Sequence, residues 1–426
     1  MTPPDAPPDT ASSSIERHGG QLALVCIAEF TVWLGFGAIL PYLPVFLTEQ
    51  AHTSVWFLSV IASAYFVGMF AFSSLFGRLS DRVGRKPMMV GGTALYTLAT
   101  LLFVTTTDPY WFVVFRLLEG VGAALITPAA QAFVAEITPE DRRSSSFGWF
   151  TTAGYGGTIV GPALAWPLYE LGGGHGLWAF RTIFLFGSAL TALTTLALAA
   201  FLREPPRSAD RRHDKSIHPG YRALLTAPVM AIIVAVTTQE FVMGGWEVIW
   251  SVWLRHIGAP MSYIGITWTA FSVPMLLSFV GGRVADRSNR FAIMTFGFVV
   301  LGASWMVFSL TENLVLILVV MVTGGLAFAF AWPAKQAFLV QVSPPRWLGS
   351  VEGLEMTSMQ LGALVGTLTM PLLYTAVSGW VFAISGAVAV AGTVAAAPTL
   401  RREWRCVSRG GSALSCADAE GATLPE

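Results

Sequence analysis

The chain has 426 residues, of which 54% are hydrophobic and only 12% charged, with 25 basic residues set against 25 acidic ones. A soluble domain carries roughly 25% charged residues, so this composition excludes a soluble globule, which would lack polar surface to meet water. Mean hydropathy is +0.62, and a lipid bilayer requires no polar cover.

Residues 1–20 are rich in Pro, Ser and Asp and are expected to form a disordered cytoplasmic tail. They contain no basic segment of the signal-peptide kind, and the apolar run that follows is too long for one. About 20 apolar residues cross a bilayer as helix. Runs of that length fall near 21–48, 55–77, 88–106, 110–135, 146–169 and 178–202, then near 228–254, 262–282, 291–310, 313–338, 350–376 and 379–399. The expectation is an all-α membrane protein of twelve transmembrane helices in two six-helix bundles, 21–202 and 223–400. A polar linker at 203–222 joins them, and a cytoplasmic tail occupies 401–426.

The first helix holds Glu29 and ends in Pro41-x-x-Pro44, prolines that loosen its outer end. The second leads into a basic hairpin, Gly77-Arg78-Leu79-Ser80-Asp81-Arg82-Val83-Gly84-Arg85-Lys86-Pro87. On the fourth, Arg116 and Glu119 stand three apart and share a face beside Gly120. The fifth carries Gly148, Gly157, Gly161 and Pro162, for which ordinary close helix packing is one reading. The seventh carries Glu240, Phe241, Trp246 and Glu247, with Trp250 and Trp253 read as an aromatic belt at the outer interface. Lys335 lies toward the cytoplasmic end of the tenth, able to snorkel. Glu136, Glu352 and Glu355 fall near cytoplasmic helix ends, where a structural role is expected.

One pattern runs through the whole chain. The hairpin returns 205 residues later as Gly282-Arg283-Val284-Ala285-Asp286-Arg287-Ser288-Asn289-Arg290. At the same offset Pro128-Ala129-x-Gln131 returns as Pro333-Ala334-x-Gln336, and Gly148, Gly157 and Gly161 return as Gly353, Gly362 and Gly366. A constant offset means two copies of one design, hence pseudo-symmetric bundles. Basic residues crowd the segments after even-numbered helices, from Arg82, Arg85 and Lys86 to Arg401, Arg402 and Arg405. The positive-inside rule puts both termini in the cytoplasm. No nucleotide-binding, zinc or dinucleotide motif occurs, and the three cysteines offer neither a disulfide framework nor metal spacing. No cofactor, metal or enzyme activity is expected.

The hairpin at 77–87 resembles the loop 2–3 signature of the major facilitator superfamily (G-x-L-a-D-r-x-G-r-k) at every fixed position. Pro41-x-x-Pro44, Arg116-x-x-x-Gly120 and the fifth-helix run 148–162 resemble its twelve-helix drug–proton antiporter branch. Three positions depart from the pattern: Glu119 stands for a usual Gln, Ala165 for a glycine and Asn289 for a glycine. The resemblance implies a cavity lined by helices 1, 4, 7 and 10, and a fifth-helix motif that limits leakage in exchangers. Ionisable residues well inside apolar runs fall on those same helices: Glu29, Arg116, Glu119, Glu240, Glu247 and Lys335. Such charges face protein or water. At 1.5 Å per residue Glu29 sits about 12 Å from the cytoplasmic end of its helix, Glu119 and Glu240 about 16–17 Å, and Arg116 about 21 Å.

The expected function is proton-coupled antiport that exports small amphipathic organic compounds from the cell by alternating access. The alternative is a proton-coupled importer of a sugar or other metabolite. Partners are the small-molecule substrate, protons and the bilayer of the cell membrane, with no nucleic acid and a monomeric chain. Glu29 is the first choice for the proton carrier and Glu240 the second, with Arg116 reaching toward Glu29; Phe241 and Trp246 are substrate-cavity candidates. Gly77, Asp81, Arg82, Gly84, Arg85, Glu136, Asp286 and Arg290 are read as a conformational latch. In it Asp81 meets the start of helix 11 near Ser350 and Arg85 pairs with Glu136. Asp286 meets helix 5 near Ser144, and Arg290 faces Gln341 without an acidic partner.

Overall fold

The computed structural model describes residues 9–138, 143–204, 225–343 and 348–408. Most of the expected linker and the last part of the C-terminal tail lie outside the described residues, as do the side chains of Ser144 and Ser350. The first half comprises α1 (Asp9–Ile39), α2 (Leu43–Glu49), α3 (Val55–Val83), α4 (Arg85–Leu102), α5 (Pro109–Ile137), α6 (Arg143–Leu171) and α7 (Gly176–Phe201). The second comprises α8 (Ala227–His256), α9 (Met261–Ser272), a 3-10 segment (Val273–Leu277), α10 (Ser278–Arg287), α11 (Arg290–Val307), α12 (Leu314–Val342), α13 (Leu348–Val377) and α14 (Trp380–Ser408). The described residues contain no strand.

Among the described residues twelve spans result, because α1 and α2 share one span across the Pro41 break, and α9 and α10 share another across the Pro274 turn. Ten described helical stretches are long and apolar enough to cross a membrane. The other two spans, α4 and α6, are diluted by Arg85 and Lys86 and by glycines, serines and threonines. Their counterparts at the repeat offset, α11 and α13, both qualify.

Two expected boundaries move. Helix α1 already begins at Asp9, inside the tail expected to be disordered, since no proline interrupts residues 9–18. Helix α14 continues to Ser408 because Trp404 packs edge-on against Phe338, with ring centroids 6.1 Å apart.

The chain divides into two compact units, Met1–His52 with Ala64–Ala209, and Thr53–Ser63 with Asp210–Glu426. The start of α3 thus belongs to the second unit. Within the first, α1 packs on α6 and α7, and α4 packs on α5 and α7. Within the second, α8 packs on α13 and α14, and α11 packs on α12 and α14. The pairs match element for element.

Atomic contacts keep the same register. A side-chain carbon at Gly77 would sit 3.9 Å from Pro128, and one at Gly282 would sit 3.8 Å from Pro333. Gly157 and Gly161 of α6 face the carbonyls of Phe30 and Leu34 on α1, while Gly362 and Gly366 of α13 face those of Thr237 and Phe241 on α8. At Gly161 a Cβ would lie 2.6 Å from the Leu34 oxygen and 2.7 Å from the Ala38 nitrogen, both backbone atoms that cannot swing aside. Gly161→Val is therefore expected to lower the thermal unfolding midpoint in detergent, by an overpacking cost of about 1–3 kcal/mol. Gly148→Ala, where nothing lies within 4 Å, should leave that midpoint unchanged.

In the second unit the tryptophans of α8 point into the core. Trp246 is buried against Trp268, Trp250, Trp305 and Phe271, with centroids 4.3 to 5.8 Å away. Trp250 and Trp253 are buried against Phe308 and Phe382. Trp246 is thus a core residue and not a cavity residue, and Trp250 and Trp253 are not an interfacial belt. Helical phase accounts for this, since Trp246 stands six residues from Glu240 and points well away from its face at 3.6 residues per turn.

Candidate functional site

The first hairpin joins its two helices through Gly84 alone and the second through Ser288 and Asn289, and the residue just before the second helix decides what can cap it. Gly84 has φ +117°, a value that side chains disfavour, and α4 begins at Arg85. The Arg85 guanidinium is buried and fully engaged. Its Nη2 lies 2.6 Å from Asp81 Oδ1 and 2.8 Å from Glu136 Oε1, and its Nη1 donates to Ser80 Oγ at 2.8 Å. Pairing of Arg85 with Glu136 agrees with the sequence reading. Asp81 and Arg82 are exposed.

A residue not singled out from sequence completes this hairpin. Glu204, just past the end of α7, accepts from the backbone N–H of Arg85 at 2.6 Å and of Lys86 at 2.8 Å. A carboxylate at a helix N-terminus satisfies unpaired donors and opposes the positive end of the dipole. The only sequence signal was an acid immediately after the sixth span. Glu204→Ala is expected to cost about 1 kcal/mol of stability, the scale of a lost helix cap. Hydrogen exchange at the Arg85 and Lys86 amides should speed up in step.

The second hairpin is built differently. Asn289 replaces Gly84 and caps its own helix, accepting from the Ala292 N–H at 3.0 Å. Arg290 does have an acidic partner, Asp286 at 3.2 Å, alongside Gln341 at 3.3 Å. This corrects the expectation, because the i, i+4 spacing alone brings Asp286 into range. With Ala285 where Ser80 stands and Gln341 where Glu136 stands, the contacts of Arg290 are fewer and longer.

Inside the first unit, Arg116 and Glu119 form a buried pair at 2.8 Å, 4% and 1% exposed. Glu119 also accepts from Thr100 Oγ1 at 2.9 Å, and the guanidinium lies 4.7 Å from the Tyr65 ring centroid. The ion partner of Arg116 is therefore Glu119 and not Glu29, because a partner one turn along the same helix needs no extended side chain. Glu29 is half-buried and accepts from Trp33 Nε1 at 2.8 Å. An aromatic series connects the two places: Trp33 to Phe36 at 5.5 Å, then Phe36 to Tyr65 at 6.0 Å.

Inside the second unit, Glu240 and Glu247 stand seven residues apart on α8, both half-buried and within electrostatic range of each other. Phe241 is half-buried, with its backbone against Gly366. Lys335 does not snorkel. It is 2% exposed, pairs with Glu355 at 2.7 Å, and lies 4.3 Å from the Trp332 ring centroid. Among the described residues no cluster of His, Cys, Asp or Glu is placed to hold a metal. Glu29 and Glu240 remain as carboxylates inside spans with no ion pair among the described residues, able to take either a proton or an organic cation.

Comparison with known proteins places this geometry. The sequence model of the Major Facilitator Superfamily matches residues 25–254 and 241–405. Multidrug resistance protein 1 of Bacillus subtilis (strain 168) is 25% identical over 365 residues, covering 84% of this chain and 91% of that protein. Multidrug resistance protein 2 of the same organism is 27% identical over 386 residues, covering 85% and 91%. Among solved structures, a bacterial homolog of the human lysosomal transporter Spinster aligns with a TM-score of 0.73 at 13% identity, over 94% of this chain and 97% of that one. That last likeness speaks for the fold alone.

Proposed function

The chain belongs to the Major Facilitator Superfamily of membrane transporters, and on that premise we propose that it is a proton-coupled antiporter exporting amphipathic organic compounds, cations above all. The observation that carries this reading is the pair of carboxylates, Glu29 and Glu240, held half-buried inside spans and each without an ion-pair partner among the described residues. A carboxylate so placed is neutralised by a proton or by a cationic substrate, and competition between the two gives exchange without covalent chemistry. Trp33, hydrogen-bonded to Glu29, sets an aromatic ring beside that carboxylate, which suits an apolar cation. Similarity to proteins named for multidrug resistance supports export. The hairpins serve as unequal conformational latches, the first with the fuller set of contacts around its arginine. Both termini lie in the cytoplasm.

Everted membrane vesicles test this directly. On energisation they should accumulate an organic cation such as ethidium, and substrate addition should release protons from the lumen. Proton-driven loss of a preloaded metabolite from the same vesicles, without cation accumulation, would favour the importer reading instead.

A further inference from the structure

The glycines of α6 that meet α1 are not alike. Gly157 and Gly161 lie closest to backbone atoms of α1, and both return as glycines in the second unit, Gly362 and Gly366. Gly154, one turn earlier, differs on both counts. The three atoms nearest to a Cβ placed there all belong to side chains: Trp33 Cδ1 at 3.2 Å, Trp33 Nε1 at 3.4 Å and Glu29 Oε1 at 3.4 Å. Two of them are the donor and the acceptor of the 2.8 Å bond from the indole to the carboxylate. At the repeat offset Gly154 becomes Met359, so the helix pairing that recurs in both units does not itself call for a glycine at this turn.

The room left at Gly154 is therefore taken up by the Glu29–Trp33 pair. Trp33 runs along α6, its Cβ 2.9 Å from where a Cβ would stand on Gly157 and its N–H edge against Gly154. The rest of the indole is not covered, and the residue is 36% exposed. Phe36 stands at 84° to it with 5.5 Å between centroids, so two rings form a corner beside the Glu29 carboxylate. We propose that Gly154 is a positioning residue that seats Trp33 in this corner, and that the seated ring selects flat aromatic cations over globular ones. The proposal rests on the antiporter reading. A planar cation can lay its face on a fixed indole while its charge meets the carboxylate. A cation whose charge is enclosed in a tetrahedral shell of rings is held by charge alone and gains little from a fixed ring. Contact with α6 removes the freedom of the indole before the substrate arrives, which lowers the entropy cost of stacking on it.

The test compares the affinities of ethidium, which is flat, and tetraphenylphosphonium, which is tetrahedral, for the full-length protein in detergent. Gly154→Val puts a branched side chain against the indole–carboxylate bond. It should weaken ethidium about tenfold, the scale of one lost aromatic contact, and tetraphenylphosphonium by less than about threefold. Equal losses for the two cations, or none for ethidium, would overturn the proposal. Trp33→Ala should weaken ethidium to a similar degree. Gly154→Val added to Trp33→Ala should then have no further effect, because the ring it displaces is gone. A general packing defect would add to the loss in that double variant, and such a result would also sink the idea. If Gly154→Val does not fold, Gly154→Ala decides. Its one added carbon meets contacts of 3.2 to 3.4 Å, so ethidium should weaken by about threefold, and only while Trp33 is present. Unchanged ethidium affinity in Gly154→Ala, or a loss that persists in the Trp33→Ala background, refutes the assignment. Glu29→Gln separates the two levels: it should weaken both cations, and if it binds both as wild type does, the role of Glu29 in the antiporter reading fails, whatever Gly154 does.

Discussion

Glu29→Gln is expected to abolish proton-driven efflux while the protein still folds and reaches the membrane. Gln retains an oxygen that can accept the Trp33 indole N–H, which the carboxylate accepts at 2.8 Å, so local packing survives the change. What is lost is the charge, and with it both the binding of a cation and the exchange of a proton. Loss of a required proton-transferring group slows a step by about 100-fold or more, so the initial rate of ethidium efflux from energised cells should fall by that scale. The pH dependence of substrate binding should flatten in the same variant. If Glu29→Gln extrudes substrate at the wild-type rate while Glu240→Gln does not, the coupling role moves to α8. Wild-type rates in both would refute proton coupling through these residues. Trp33→Phe, which keeps an aromatic ring and removes the donor, should have a much smaller effect.

Arg116→Met should be the most damaging substitution for stability. It leaves the Glu119 carboxylate, 1% exposed, with Thr100 Oγ1 at 2.9 Å as its one remaining partner among the described residues. Breaking a buried ion pair from one side costs about 3–5 kcal/mol, whereas replacing both members by apolar groups is often close to neutral. Arg116→Met with Glu119→Leu should therefore unfold nearer the wild-type temperature than Arg116→Met alone. Equal midpoints for the single and double variants would show that the pair does not stabilise by mutual neutralisation.

What was legible in the sequence follows from what each inference needed. The register of the repeat depends on spacing along one chain, so the partners of Gly77 and Gly282, Pro128 and Pro333, were already visible as matching residues. Arg85 with Glu136 was readable because the hairpin fixes one end and a span length fixes the other. Trp246 was misplaced for want of helical phase, which the sequence does contain: it stands off the Glu240–Glu247 face. The partners of Arg116 and Lys335 are a different matter. Each had several acids within reach, and the choice between Glu29 and Glu119, or between a snorkelling lysine and Glu355, depends on side-chain direction and helix contacts. Glu204 was hidden for the same reason, since capping a helix 119 residues earlier leaves no local pattern.

That distant cap has a consequence for how the two halves come off the ribosome. The second hairpin can close its helix as soon as Ala292 has been made, because Asn289 supplies the acceptor from three residues away. The first cannot. Its acceptor is Glu204, on the far side of four further spans, and at 5–20 residues per second the 119 residues between take roughly 6–24 s to synthesise. Throughout that interval the leading turn of α4 has open amides at the membrane surface while α5 to α7 are still being inserted. The hairpin with the fuller contacts in the finished protein is therefore the later of the two to close relative to its own synthesis.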